Sequence, residues 1–550
     1  MKKQRILQTF IGLIALAIII SGCSGANKNA SESSNPSESV NPSSPAASQG
    51  SKTLIFGRSS DSVGLDLSTT TDGESYRVAV NILETLVVYD PNNKKISPKL
   101  AESWIISEDG LTYTFKLREG VKFQDGTDFN AEAVAFNFKR WMDKSNPLHN
   151  EEGFPYYESI FGGYSGDANH VIAGVSVVDP YSVEFKLTKP ISSFLSNLAI
   201  PNFGIASPDA LNNTSSNFNK NPVGTGPFKV VDWKANDTIT LEKNASYWQQ
   251  GLPKLDKLVF KVVPDQNARL TALQTGEVDM IDGVNPEDAN TVQQNGDLQL
   301  FETPSLNVGY LGFDTGKAPF DNVKVREAIA GIVDKQALIN AFWAGKATPA
   351  INPIPPVFMG YNSDITDRTV DLDKSKQLLA EAGYPDGFKT TIWATSVSRI
   401  YMPNGEKVAQ ALQEQLKKIN IDAKIQTLEW ASYIEKLSSH KDTDMFLSGW
   451  ISDTADPDNF LFPLFNKDST YNFTSYKNDE VNNLLQQGQV ETDSTKREQQ
   501  YKKIQELLFQ DAPLVPIAHA NYFVAAAKKV SGFVISPTGA NESFANVDLQ

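Results

Sequence analysis

Lys389-Thr390-Thr391-Ile392-Trp393, a helical period opened by Asn404 and carried by Val408, Leu412, Leu416 and Ile419, and the run 421–427 decide the fold. The first run predicts a strand, the second an amphipathic helix, the third a strand again. Asn404 is the residue type that caps a helix start. A second unit repeats the order: a strand over 257–263, a helix over 266–274 closed by Gly276, and a strand over 278–281. Strand–helix–strand units of this length predict an α/β layer architecture with parallel pairing. Further helices are expected from Asn322, Asp334 and Asp373, and over 481–490 and 496–509, with a last strand over 522–526.

Downstream of the deciding stretch, Met445-Phe446-Leu447 runs into Gly449-Trp450-Ile451-Ser452-Asp453-Thr454-Ala455-Asp456-Pro457-Asp458-Asn459-Phe460. A buried strand delivers a polar loop that holds Asp453, Asp456 and Asp458 within six residues. Two readings stand side by side: a receptor for an ammonium or a metal, and a solvated turn, since Asp, Pro and Asn dominate turns. The spacing is not that of a calcium loop, and the glycine of one is missing.

Upstream, the chain reads as mixed α and β. A strand is expected at 53–56, a helix-like face over 76–89, and a hairpin at Asp109-Gly110 into the alternating run Tyr113 to Arg118. A strand and turn follow over 120–126, then a helix capped by Asn130 through Trp141 and two short strands over 175–187. Gly224-Thr225-Gly226-Pro227-Phe228 suits a tight bend into a strand.

Lys2, Lys3 and Arg5 precede an apolar run over 11–20 and then Ile20-Ser21-Gly22-Cys23, the layout of a secretory signal. Cys23 is the only cysteine in 550 residues, so no internal disulfide is possible. The stretch resembles the lipobox of bacterial lipoproteins, which implies that Cys23 is acylated and becomes the mature N-terminus. Residues 24–51 are Ser, Asn, Pro, Ala and Glu with little apolar bulk, a flexible tether. Loss of residues 1–22 takes away Lys2, Lys3 and Arg5 and no acid, so the net charge of −15 becomes −18. An acidic body excludes nucleic acid as a partner. About 500 residues exceed a single core, so two or more lobes are expected.

Motifs of enzymes are missing. There is no Cys-x-x-Cys, no His-Glu-x-x-His and no Gly-x-Ser-x-Gly. Gly312-Phe313-Asp314-Thr315-Gly316-Lys317 has Walker-like letters, but the spacing is one short and Ala318 replaces the hydroxyl. His149, His170, His440 and His519 are scattered. The expectation is a binder with no catalytic residues, no cofactor and no metal.

Six markers now fall in order. They are Leu100-Ala101-Glu102-Ser103-Trp104, Asp109-Gly110 with Tyr113-Thr114-Phe115, Leu117-Arg118 with Gly120-Val121-Lys122-Phe123 and Asp125-Gly126, Gly224 to Phe228, Pro319-Phe320-Asp321 with Val325-Arg326, and Gly449-Trp450. In this order the chain resembles the bacterial extracellular solute-binding proteins of the peptide/nickel class, family 5, over about residues 53 to 550. The resemblance implies a two-lobed periplasmic-binding-protein-like α/β fold with a hinge and an extra subdomain in the first lobe. The expected division is a lipoprotein signal at 1–22, a tether at 23–52, lobe I at 53–303 with the insert at about 95–220, lobe II at 304–514, and a return to lobe I at 515–550.

Within that class the chain looks most like dipeptide-binding lipoproteins. The pattern Gly449-Trp450 to Phe460, the run Asn352 to Pro356, and Trp393-Ala394 with Arg399, Tyr401 and Pro403-Asn404 carry that likeness. It implies that Asp453 anchors the peptide ammonium and Arg399 its carboxylate, and that Tyr401, Trp430 and Trp450 line the cleft. Ser398 and Ile400 depart from the pattern on either side of Arg399, so side-chain preference does not carry over. The division of labour is physically sound: a dipeptide is a zwitterion with ends roughly 7 Å apart. An aspartate accepts from an ammonium, and a planar guanidinium fits a carboxylate as a fork. The implied partners are a short peptide, a permease with cytoplasmic ATPases, and the membrane through the N-terminal lipid. The implied place is the extracellular face of the cell membrane, or the periplasmic side where an outer membrane exists. Longer oligopeptides, oligosaccharides, haem or a nickel chelate are the alternatives on the same fold, and a secreted hydrolase is the alternative of a different class.

Overall fold

A computed structural model of the chain describes residues 51–213, 217–441 and 443–550. The signal, the tether and Cys23 lie outside the described residues.

The described chain is built on one mixed sheet of twelve strands. In its second half, Ile421–Leu428, Phe388–Thr395 and Met445–Ile451 lie side by side and parallel. The helix Gly405–Lys417 makes the crossover between Phe388–Thr395 and Ile421–Leu428, as the sequence pattern requires. Its cap is Asn404, whose side chain accepts from the Lys407 N–H. Asn307–Phe313 then pairs antiparallel with Met445–Ile451. Every residue of Asn307–Phe313 is buried, because helices cover the sheet on both faces. Leu311, Phe313 and Leu447 point to a core closed by Val325, Ile329, Leu412 and Leu416, while Val308, Tyr310 and Phe446 point to another closed by Tyr433, Phe460 and Tyr501.

The first half of the sheet holds Thr53–Arg58 between Lys257–Val262 and Met280–Asp282, both parallel to it. The helix Gln266–Gln274 joins these two outer strands, with Asp265 as its cap. A separate antiparallel sheet of four strands, in the order Ala101–Ile106, Thr112–Leu117, Ser182–Leu187 and Ile172–Asp179, has its own aromatic core. Phe138 of the helix Ala131–Met142 sits edge-on to Phe185 at 4.7 Å, and Trp141 packs on Phe203 at 5.7 Å.

One strand serves both halves. Leu514–Ala527 pairs with Asn307–Phe313 and Ala347–Pro349 through residues 514–520, and with Leu298–Pro304 and Met280–Asp282 through residues 521–527. The expected return at 515 therefore falls inside a strand that neither half owns alone. The chain crosses a second time between Leu298–Pro304 and Asn307–Phe313. The two crossings are bonded to each other. Asn307, fully buried, donates from Nδ2 to the Ala520 carbonyl at 3.0 Å and accepts from the Ala520 N–H at 3.0 Å.

Some elements differ from the sequence reading. The helix-like face over 76–89 is split into a helix Gly73–Ala79 and a strand Val87–Asp90, since Leu83 and Leu86 pack into different cores. Residues 120–126 form a turn closed by a single bridge between Lys122 and Asp128, not a strand. The helix expected from Asp373 starts earlier and is capped by Asp371. The last strand extends back to Leu514 because tertiary pairing carries it through Pro516.

Asn307→Ala leaves the buried Ala520 N–H without its acceptor and the Ala520 carbonyl with the Ser305 N–H in place of two donors. The expected loss of stability is about 1–3 kcal/mol, read as a lower urea midpoint with an unchanged m-value.

Candidate functional site

Three of the expected site residues follow the C-terminal ends of the three parallel strands: Arg399 after Phe388–Thr395, Trp430 after Ile421–Leu428, and Asp453 after Met445–Ile451. Loops at this edge of a parallel sheet are where α/β proteins place their ligands. The topology thus puts residues 54 positions apart, Arg399 and Asp453, on one edge.

Arg399 lies in a short turn. Its N–H donates to the Met402 carbonyl at 3.1 Å and its carbonyl accepts from the Met402 N–H at 2.9 Å. The guanidinium stacks on the Trp430 ring, 3.6 Å from the centroid. Nε is buried without a hydrogen-bond partner, and no ion pair to Arg399 forms among the described residues. Burial lowers its pKa, and the nearby Tyr401 and Glu429 oppose that effect without cancelling it. The Trp430 face compensates in part.

Tyr401, the third residue expected to line the cleft, packs against the strand pair. It is buried, and its ring covers Gly449 while its carbonyl lies on Gly309. These two glycines face each other across the strand pair. A Cβ on Gly309 would come within 2.2 Å of the Tyr401 carbonyl oxygen, and one on Gly449 within 2.2 Å of the Tyr401 ring. The glycine pair is the socket that fixes the Arg399 turn to the strand carrying Asp453. Burial pushes the Tyr401 hydroxyl up to about 12.

Asp453 is half-buried. Its N–H donates to Asn459 Oδ1 at 3.0 Å, and the same oxygen accepts from Ser452 Oγ at 2.9 Å. The Ser452 N–H donates to the Leu306 carbonyl at 2.8 Å, which ties the loop to the crossing between the halves. Trp450 is half-buried, donates from Nε1 to the Asn459 carbonyl at 2.7 Å and meets Tyr471 edge-on at 5.3 Å. Burial pushes the Asp453 carboxyl up to about 6, against the opposing effect of a hydrogen bond from Tyr156. That bond, from Tyr156 Oη to Asp453 Oδ2, is 3.2 Å long and comes from the first half of the molecule. Tyr156 stands edge-on to Tyr76 at 6.4 Å, and Tyr76 donates to Asn202 Oδ1 at 2.9 Å. Sequence reasoning missed both tyrosines. Tyr156 lies 297 residues from Asp453, and its Pro-Tyr-Tyr setting carries no local signal.

The other two acids of the loop do different work. Both oxygens of Asp456 are taken by Arg497, at 2.8 and 2.7 Å, in a buried fork-to-fork pair. Asp458 begins the helix Asp458–Phe465 and accepts from Gln489 Nε2 at 3.2 Å. Burial, then the neighbouring Asp456 charge, pushes the Asp458 carboxyl up to about 7. The three carboxylates do not converge, and among the described residues no group of three His, Cys, Asp or Glu is placed to hold a metal. His519 is buried at the crossing strand, held neutral with its pKa pushed down to about 4, and bonded through Nδ1 to the Asn307 carbonyl at 2.7 Å. Lys317 of the Walker-like run pairs with Asp444 at 3.2 Å.

Gly449→Ala forces the new methyl into the Tyr401 ring. The expected outcome is a loss of about 1–3 kcal/mol of stability, with a shift of tryptophan emission as the Arg399–Trp430 stack moves, read by urea denaturation and fluorescence.

Residues 95–530 match the family model of bacterial extracellular solute-binding proteins, family 5. The chain is 35% identical over 552 residues to heme-binding protein A of Haemophilus influenzae, covering 97% of each chain. It is 35% identical over 524 residues to the dipeptide-binding protein of Escherichia coli K12, covering 92% of this chain and 96% of that one. Among solved structures, it is similar to the ABC transporter-associated periplasmic binding protein DppA of Helicobacter pylori in complex with the peptide STSA. That likeness has a TM-score of 0.75 and 36% identity, and covers 90% of this chain and 98% of the other. No helix of the described residues is long and apolar enough to cross a membrane. The chain belongs to family 5 of the bacterial extracellular solute-binding proteins, the non-enzymatic substrate binders of ABC transporters.

Proposed function

We propose that this protein captures dipeptides and other short peptides by their two charged ends and hands them to a membrane permease. Asp453 takes the α-ammonium, Arg399 takes the α-carboxylate, and Trp430 and Trp450 flank the bound chain. The observation that carries this reading is Arg399: a desolvated guanidinium, stacked on Trp430 and without a carboxylate partner among the described residues, on the same sheet edge as Asp453. A free carboxylate of a ligand supplies what the site lacks. The likeness to the dipeptide-binding protein and to DppA with bound STSA supports a peptide ligand. The equal likeness to heme-binding protein A makes haem the second reading.

Capture works through closure. We place lobe I at 53–303, with its insert at about 95–220, and lobe II at 304–514, with the return from 515 running through the shared strand. A ligand favours the closed arrangement only by binding it more tightly than the open one. A nearly complete shift from open to closed takes about 5.5 kcal/mol of such difference. Two charge-assisted contacts at roughly 1.5–3 kcal/mol each come close to that. In the same reading Cys23 carries the lipid that holds the body at the membrane.

The first test is a thermal-shift screen of di-, tri- and tetrapeptides, an N-acetylated dipeptide and haemin. Free dipeptides are expected to raise the melting temperature, and the acetylated form is not. Stabilisation by haemin alone would replace this reading with the second. Asp453→Asn is expected to weaken dipeptide binding by roughly ten- to hundredfold with the melting temperature of the free protein kept, and calorimetry checks it.

The raised Asp453 carboxyl sets the sign of a pH effect. Ligand ammonium needs the ionised form, so affinity is expected to hold at pH 7 and to fall as pH drops through about 6. Near pH 6 binding is expected to release roughly half a proton, seen as a dependence of the calorimetric enthalpy on buffer. For folding the sign is the reverse. A carboxyl whose pKa is raised in the folded state costs stability as pH climbs from the unfolded value near 4 to about 6.

A further inference from the structure

Apart from the two chain crossings, the loop that holds Asp453 has a second line of contact with the first half of the molecule. It runs through the corner between the helices Asp479–Val490 and Ser494–Asp511. There the Ser192 N–H donates to the Gln489 carbonyl at 2.9 Å, and Ser192 Oγ donates to the Glu491 carbonyl at 2.5 Å. Ser192 lies in the loop after Ser182–Leu187, a strand of the separate four-stranded sheet.

Gln489 also faces the other way. Its side-chain Nε2 donates to Asp458 Oδ2 at 3.2 Å. The Asp458 N–H donates to Asp456 Oδ1 at 2.9 Å. Arg497, on the second helix of the corner, grips both oxygens of Asp456 and donates from Nε to the Gly488 carbonyl at 2.8 Å. A continuous path therefore leads from Ser192 through Gln489, Asp458 and Asp456 into the loop of Asp453. Its members are poorly able to yield. Breaking a buried ion pair is costly, so the Asp456–Arg497 fork moves as a unit. Asp458 is held from both helices of the corner, by Gln489 on the first and by Tyr501 on the second, and Gln489 alone of these two is also bonded, through its carbonyl, to Ser192.

We propose that the corner 488–493 is a latch that couples docking of the four-stranded unit to the orientation of Asp453, with Gln489 as the positioning residue. Gln489 touches no ligand in this scheme and acts through Asp458 and the loop. When the Ser192 loop docks, the corner is held and the loop keeps Asp453 aimed. When it leaves, the corner relaxes and the loop loosens. The latch rests on the reading of Asp453 as the ammonium anchor for its effect on ligand, but its mechanical part does not need a ligand.

The experiment uses the whole chain with Ser192→Ala, which removes the Oγ bond to the Glu491 carbonyl and so loosens the corner while the N–H bond to Gln489 stays, with Gln489→Ala, and with the double variant. In ligand-free protein, hydrogen exchange of the amides in 452–459 is expected to speed up by about fivefold, the effect of one typical lost hydrogen bond. That change arises at Ser192, far from the loop in sequence, and a local packing role for Ser192 would not produce it. With alanyl-phenylalanine as the probe, each single variant is expected to raise the dissociation rate by a similar factor, with the association rate within twofold. The double variant is expected to add little to the larger single effect, because the two residues act in series. Exchange in 452–459 that ignores Ser192→Ala, or strictly additive dissociation rates, would overturn the latch. If the wild type takes no dipeptide, the ammonium reading fails and the exchange arm alone decides the latch. If Gln489→Ala does not fold, Ser192→Ala carries the exchange test.

Discussion

The strand Leu514–Ala527 is the constraint on which the molecule depends. Its fourteen residues pair with four other strands, and its two ends belong to different halves of the sheet. A strand shared in this way transmits orientation, because backbone ladders resist shear far better than side-chain contacts do. Its ladder changes partner around Ala520. That is where the Asn307 side chain takes the Ala520 N–H and shares the Ala520 carbonyl with the Ser305 N–H, between the ends of two strands. Buried backbone groups must be paired, and a side-chain amide can pair them while allowing more rotation than a ladder.

The chemistry at the sheet edge follows from how charge is buried. Asp456 and Asp453 lie three residues apart in one loop, yet their surroundings separate them. Asp456 has a full guanidinium fork and is committed to structure. Asp453 has one phenol and a desolvation cost, so it retains unmet demand for a cation. Arg399 shows the complementary deficit, an aromatic face in place of a carboxylate. The proposed capture of a zwitterion rests on this pairing of one unmet anion and one unmet cation on the same sheet edge. Rigidity comes from the Gly309–Gly449 pair, where the missing Cβ atoms let Tyr401 sit directly on the backbone.

A further buried charge cluster shows the contrasting, purely structural use of the same groups. Arg77 reaches Asp282 at 2.8 Å, Glu542 at 3.2 Å and the Gly539 carbonyl at 2.9 Å, and so pins the C-terminal segment to the helix that presents Tyr76. Its charge is matched from within, which is why it offers a ligand nothing.

The sequence by itself determined the local elements and singled out the two residues proposed as anchors. Periodicity and caps placed Gln266–Gln274, Gly405–Lys417 and Ala131–Met142, because those helices follow from residue spacing and one capping side chain. Motif order placed Asp453 and Arg399 in the family. Tertiary structure alone decided the rest. Tyr156 and Arg497 act on the Asp453 loop from far along the chain, and no local pattern encodes a contact made only after folding. The family resemblance implies a cleft position for Tyr401, and only the fold reveals the two glycines on neighbouring strands against which it packs. The last strand reads as five residues because Pro516 interrupts the local signal, and it extends to Leu514 because pairing across the sheet outweighs local propensity. Local chemistry is written residue by residue; which charges find partners depends on what the fold brings beside them.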